Sequence, residues 1–324
     1  MKEIASYKQW IEQEIRKQEF GKEPVSLYEP IRYIMALGGK RLRPLLVLLS
    51  YSLFNKNVKS VVGYSVAVEA FHNFTLMHDD IMDKAPLRRG KKTVHKKWNV
   101  NTAILSGDVM LVKVYDAFLS LQESSLKSVL KSISACAVEV CEGQQWDMEF
   151  ETMNSVSEEQ YLKMIRQKTG VLLGFSLELG AILSGAPKKD QTALREFGIN
   201  IGIGFQLMDD LLDAYADPKK FGKQVGGDIL ANKKTYLLIK SLEAANSIQR
   251  KELERLLTAR SLNKKVKVSS VKALYDELGI PAITQRKISA YFKKGFNALK
   301  KVNGNNSSKE LVRRFTEELI SRQS

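Results

Sequence analysis

Six aspartates in two short runs carry the most direct chemistry in this sequence: Asp79-Asp80-Ile81-Met82-Asp83 and Asp209-Asp210-Leu211-Leu212-Asp213. Each run lies in a stretch with helical periodicity. Residues four apart on a helix share a face, so Asp79 aligns with Asp83 and Asp209 with Asp213. Two such carboxylate pairs facing one another across a cavity repel unless cations sit between them. Hard oxygen donors suit Mg²⁺, which keeps several waters and completes its shell with substrate phosphates. The pattern predicts a diphosphate held through metal ions.

Two cationic, loop-like strings accompany the first run, Gly38-Gly39-Lys40-Arg41-Leu42-Arg43-Pro44 and Arg88-Arg89-Gly90. Guanidinium groups grip phosphate oxygens two at a time and lysine supplies a compact point charge, so these strings can clamp a second diphosphate without metal. His72 stands two helical turns before Asp79 and about 20° around the axis, on the same face. Taken singly, a run of aspartates is commonly a solvated helix end, a lone histidine a core residue and a Gly-Gly-Lys string a turn. Their conjunction favours a binding site.

These residues need helices to position them. Ile4, Tyr7, Trp10, Ile11 and Ile15 mark a first amphipathic helix, and a second begins near Leu27, meets Gly38-Gly39 and restarts at Pro44. Val61 to Asp83 reads as a long, largely buried helix that Ala85-Pro86 stops, with Leu87 to Gly90 as a loop. Further helices are expected at Thr102 to Leu121, Ser124 to Phe150, Ser157 to Leu183, Lys189 to Ala216, Ile229 to Ala244 and Ile248 to Arg260. Ser269 to Leu278, Pro281 to Lys301 and Ser308 to Arg322 complete the set. Strand alternation is nearly absent, which excludes a Rossmann unit. With 324 residues, 44% of them hydrophobic, and seven prolines, the chain reads as one all-α domain over 1–324.

Lysine and arginine number 51 against 36 acidic residues, a net charge of +15. Much of the excess sits in runs such as Lys264-Lys265, Lys293-Lys294 and Lys300-Lys301, which read as solvated helix faces. Cys136 and Cys141 lack the paired spacing of a zinc site and are expected to be reduced core thiols. Trp98 and Trp146 are expected in the core or an interface. Residues 1–20 are amphipathic rather than signal-like, and the apolar run Pro44 to Phe54 is too short to span a bilayer, so a soluble cytoplasmic protein is expected.

The same strings resemble the trans-type isoprenyl diphosphate synthases over nearly the whole chain. Gly38 to Pro44 is similar to the family's isopentenyl diphosphate loop, Leu76 to Asp83 with Arg88-Arg89-Gly90 to its first aspartate-rich motif, and Phe205 to Asp213 to its second. Gln167-Lys168-Thr169-Gly170, Phe221-Gly222-Lys223 and Gly227-Asp228-Ile229 through Thr235 fit the remaining substrate segments, with Asn232 where many members have glycine. The resemblance implies a single large helical bundle around a central active-site cavity, assembled as a homodimer. It implies that Asp79, Asp83 and Asp209 ligate Mg²⁺, about three ions with Mn²⁺ possible, and that Asp80, Asp210 and Asp213 support them. The allylic diphosphate would rest on Arg88, Lys168, Lys223 and Lys233, with Thr169 and Gln206 bonding nearby. Lys40, Arg43, His72 and Arg89 would hold isopentenyl diphosphate.

Product length is expected to depend on Phe74 and Thr75, five and four positions before Asp79. By the resemblance this points to C20 geranylgeranyl diphosphate, with C15 or longer products as alternatives. Ideal geometry puts Thr75 about 40° and Phe74 about 140° from the Asp79 face, so the Phe74 role rests on the resemblance. Phe71 competes for it. A class I terpene cyclase would hold only one diphosphate and leave the Gly38 to Pro44 loop unused. A nucleic-acid-binding helical protein would need aromatic or recognition-helix patterning among its basic residues, which is missing. Intact acidic runs disfavour an inactive regulatory subunit.

Overall fold

The computed structural model describes residues 2–216, 226–259 and 262–321. The chain divides into two compact units, each built from three separate segments.

Unit 1 comprises residues 1–136, 175–195 and 302–312. It begins with α1 (Lys2–Lys17), which buries Ile4, Tyr7, Ile11 and Ile15, and α2 (Val25–Ala36). In α3 (Leu42–Tyr51) every residue from Pro44 onward is buried, each large apolar side chain contributing roughly 1.5–3 kcal/mol. A 3₁₀ turn, Val58–Val61, leads into α4 (Val62–Met82), which packs along α6 (Val100–Leu119). The side chain of Asn99 caps α6 by accepting the Thr102 N–H at 2.8 Å.

The end of α4 is chemically defined. Lys84 takes a left-handed conformation (φ 52°), the Ala85 N–H donates to the Asp80 carbonyl at 2.9 Å and the Lys84 N–H to Ile81 at 3.1 Å. This is a Schellman cap, and Pro86 follows it as expected of a helix stop. Leu87 to Gly90 is more ordered than a loop. β1 (Leu87–Arg88) pairs antiparallel with β2 (Lys91–Lys92), and Arg89 (φ 52°) with Gly90 (φ 73°) form the two-residue turn that such hairpins favour. A short α5 (Val94–Lys97) follows.

Unit 2 comprises residues 137–174, 196–301 and 313–324. It includes the second half of α7 (Glu123–Thr152) and α8 (Glu158–Ile165), whose Ser157/Gln160 capping box forms as the spacing predicts. The expected single helix from Ser157 to Leu183 is interrupted by a π-helical turn, Arg166–Gly170, before α9 (Val171–Leu183). The C-terminal part of α10 (Lys188–Tyr215) carries the second acidic run. Helices Gly227–Leu230, Tyr236–Ala244, Ser247–Thr258, Lys264–Glu277 and Ile280–Lys300 complete the unit around a core that includes Leu237, Leu253, Val271 and Tyr275.

Two further expectations are corrected. The helix expected over Ile229 to Ala244 is broken between Leu230 and Tyr236 because Asn232 adopts φ 54°, which a right-handed helix does not allow. Cys136 is buried, but Cys141 is exposed on α7. Among the described residues no helix is long and apolar enough to cross a membrane.

Candidate active site

In unit 1 the first acidic run occupies the last turn of α4. Asp79 is half-buried and Asp83, the C-cap, is exposed, its N–H donating to the Asp79 carbonyl at 2.8 Å. Asp80 points elsewhere: it is 2% exposed and accepts two hydrogen bonds from Arg88, from Nε at 2.8 Å and Nη2 at 2.7 Å. The hairpin thus delivers Arg88 to the base of the run.

The next residue ties the hairpin to the basic loop. Arg89 donates to the Gly38 carbonyl, and a Cβ built on Gly39 (φ 141°) would sit 3.0 Å from the Arg89 guanidinium, so the position requires glycine for space and conformation alike. The three cations of the loop separate. Lys40 is exposed and Arg43 half-buried, whereas Arg41 turns inward, 4% exposed. It donates to Glu12 at 2.9 Å, Glu69 at 2.9 Å and the Met35 carbonyl at 2.8 Å. Those bonds hold its guanidinium above the usual range despite burial. Arg41 therefore anchors the loop from within, while Lys40 and Arg43 are left out of that anchor. The Arg43 Nε is buried without a hydrogen-bond partner among the described residues, and burial lowers this guanidinium to about 10.

Burial first, then the charges of Arg43, Arg89, Arg88 and Arg41, push His72 well below the ordinary imidazole value. A neutral imidazole offers one donor and one acceptor among four guanidinium groups. Thr75 bonds back to the His72 carbonyl at 2.8 Å. Phe74 is buried against Phe71 and His78, with ring centroids 5.7 and 4.9 Å away.

In unit 2 a cavity of about 620 Å³ brings together Lys168, Thr169, Gln206, Asp209, Asp210 and Lys233. Asp209 is exposed, whereas Asp210 is buried and accepts from the Tyr161 hydroxyl and from Gln206 Nε2, the latter at 3.2 Å. Thr169 donates to Gln206 Oε1 at 3.2 Å, which fixes the amide's orientation. The Asp213 carboxylate accepts the Asp228 N–H at 2.9 Å. Lys223 lies outside the described residues.

Burial pushes the Asp210 carboxyl up to about 7, with Asp228 and Asp209 adding repulsion that the Tyr161 and Gln206 bonds only partly offset. Asp228 rises to about 6, through burial and then Asp213. Carboxylates crowded and buried in this way resist ionisation.

Asp147 and Tyr161 also line the cavity and escaped the sequence reading, which did include Asp228 in a substrate segment. Asp147 receives Lys168 Nζ at 2.5 Å. Gly143, one turn before Asp147 on α7, makes this possible, since a Cβ there would lie 2.3 Å from the Lys168 backbone nitrogen. The Gly143/Asp147 spacing of four is the only hint the sequence holds. Asn232 keeps its left-handed backbone through its side chain, which donates to the Leu257 carbonyl at 3.0 Å and accepts from Lys267 at 2.7 Å. Asparagine tolerates this region better than most residues, so Lys233 is presented to the cavity without glycine.

Known proteins share this helical architecture. The polyprenyl synthetase family model matches residues 24–278. A geranylgeranyl pyrophosphate synthase from Geoglobus acetivorans is 44% identical over 224 residues, 68% of this chain and 70% of that protein. A short chain isoprenyl diphosphate synthase from Methanocaldococcus jannaschii is 42% identical over 247 residues, 76% of this chain and 74% of that protein. The crystal structure of a geranylgeranyl pyrophosphate synthase matches with a TM-score of 0.94 and 43% identity, covering 99% of both chains. Helical architecture and sequence likeness converge on one conclusion: the chain belongs to the polyprenyl synthetase family and is a prenyltransferase.

Proposed function

We propose that this protein joins an allylic diphosphate to isopentenyl diphosphate, acting as a single catalytic domain and releasing C20 geranylgeranyl diphosphate and pyrophosphate. The observation that carries this reading is the contrast between two ligand environments. One is the carboxylate-rich cavity of unit 2. The other is the cluster of Arg43, Arg88, Arg89 and neutral His72 in unit 1, where Glu69 is already engaged by Arg41. The first suits a diphosphate that arrives with cations and the second a diphosphate that arrives without them. The names of the relatives support the C20 product.

Asp79, Asp83 and Asp209 supply hard oxygens at half-buried or exposed positions and fit Mg²⁺, or Mn²⁺, as ligands. Among the described residues no three acidic, histidine or cysteine side chains are gathered closely enough to hold an ion. Bound Mg²⁺ supplies positive charge that favours departure of pyrophosphate.

The chain's own groups do the rest. Arg88, Lys168, Lys223 and Lys233 orient the allylic diphosphate and stabilise charge growing on its bridging oxygen as the C–O bond breaks. Thr169 and Gln206 fix its tilt. Lys40, Arg43, Arg89 and His72 hold isopentenyl diphosphate so that its double bond attacks the allylic carbon and forms the C–C bond. The proton then lost from the new chain passes to the released pyrophosphate, so no protein nucleophile is used. Phe74 and Thr75 limit elongation.

The protein acts in the cytoplasm as a homodimer. Leu105, Val112 and Leu119, seven residues apart on α6 and 58%, 59% and 61% exposed, form the apolar stripe that a second copy would cover. Incubation with labelled isopentenyl diphosphate and each of the C5, C10 and C15 primers tests the reading. A C20 product is expected. Product formed from a primer alone, or none from any primer, would overturn it.

A further inference from the structure

Three dibasic pairs near the C-terminal end of the chain play no part in the site described above. Arg286-Lys287, Lys293-Lys294 and Lys300-Lys301 recur every seven residues. They lie along helix Ile280–Lys300 and its C-cap, a segment without an acidic residue. Seven residues make nearly two helical turns, so the pairs return to one side about every 10.5 Å. The other side is committed to the interior through Ile288, Phe292, Ala298 and Leu299. Lys287 turns to Glu158 at 2.5 Å, while Arg286, Lys293, Lys294, Lys300 and Lys301 are exposed and form no ion pair among the described residues. Lys294 lies over the Tyr291 ring at 5.0 Å.

We propose that this face docks on the surface of an anionic lipid bilayer. Successive pairs lie within about a Debye length of one another, so their charges act together. The helix holds them at fixed spacing and cannot relieve their repulsion by itself. A helix sunk to half its circumference in its own unit presents a flat strip. Such a strip cannot enter a major groove about 12 Å wide, and it lacks the exposed aromatic ladder that single-stranded nucleic acid stacks upon. A plane of anionic headgroups meets every pair at once, and clusters of this size are the ones anionic leaflets attract.

The experiment is co-sedimentation of the full chain with phosphatidylglycerol-containing phosphatidylcholine vesicles, against pure phosphatidylcholine vesicles and a duplex DNA. Binding to the anionic vesicles alone is expected, weakening as salt is raised. Each surface cation contributes about fivefold, so Lys293→Gln/Lys294→Gln/Lys300→Gln should lower the vesicle affinity roughly 100-fold. A control, Lys56→Gln/Lys127→Gln/Lys131→Gln, removes the same charge from exposed sites of unit 1. It should retain most of the affinity. Equal losses in the two variants would reduce the effect to net charge and overturn the proposal. So would tighter binding to DNA than to vesicles, or no binding to anionic vesicles at low salt.

Discussion

Replacing Arg41 with methionine separates two roles that lie side by side in the Gly38 to Pro44 loop. Arg41 is buried and donates to Glu12, Glu69 and the Met35 carbonyl. Glu69 is itself only 2% exposed, so losing the guanidinium strands a carboxylate in the interior. Breaking a buried pair from one side costs about 3–5 kcal/mol. The Glu12 side chain is 41% exposed and adds less than about 1 kcal/mol. A loss near 4 kcal/mol lowers Tm by roughly 6 °C in a chain of 324 residues, at about 2.1 cal/mol/K of unfolding entropy per residue. The double variant Arg41→Met/Glu69→Leu removes both charges and should recover most of that loss, since a well-packed apolar pair replaces a buried ion pair at little cost. Thermal unfolding by circular dichroism gives the Tm, and steady-state kinetics below the transition gives KM for isopentenyl diphosphate. Lower Tm with unchanged KM is expected. An unchanged Tm with a raised KM would show that Arg41 grips substrate and that the anchoring argument is wrong.

Arg43→Ala should do the reverse, raising KM for isopentenyl diphosphate by roughly 10- to 100-fold, the worth of a charge-assisted bond, with Tm nearly unchanged; parent-like kinetics would remove Arg43 from the cradle. Asp210 is held at about 7 against an ordinary 3.8. Between those values the unfolded chain releases a proton that the folded chain keeps, so stability falls as pH rises toward 7 and levels off beyond it. In chelator-treated buffer Asp210→Asn should therefore gain about 4 kcal/mol of stability relative to the parent between pH 4 and the plateau above 7, and with Mg²⁺ restored it should lose turnover. A stability difference independent of pH would contradict this. Phe74→Ala should lengthen the product and, by emptying space beside Phe71 and His78, cost about 3–5 kcal/mol. Loss of stability with an unaltered product, sized by chromatography of the labelled chains, would make Phe74 a core residue only.

Local chemistry was legible in the sequence where it is written in neighbouring residues. The stop at Ala85-Pro86 is the Schellman cap of α4, and the Ser157/Gln160 spacing is the capping box of α8. The runs at Asp79 and Asp209 occupy helices, as their four-residue spacing required. Partners remote in sequence were not legible. Nothing beside Arg41 distinguishes it from Lys40 or Arg43, because the carboxylates that turn it inward are Glu12 and Glu69. Tyr161 reaches Asp210 across 49 positions, and no periodicity encodes such a pair. Asn232 breaks a helix that its neighbours favour, through bonds to Leu257 and Lys267 that only the folded unit supplies. Cys141 sits on the outer side of α7 although its composition suits a core.

The widened turn at Arg166–Gly170 has a bearing on protein engineering. A π turn accommodates one residue more than the α geometry on either side, so Tyr161 and Val171 are out of phase with an uninterrupted helix. Winding all five residues as regular α-helix, with none removed, would swing α8 by about 100° against α9. Tyr161 would then face away from Asp210, with scarcely any change in helix content or charge. Chimaeras spliced within this stretch should keep the extra residue and the wide turn together, because a graft that keeps the residue but winds it as α would fold into a sound helix aimed in the wrong direction.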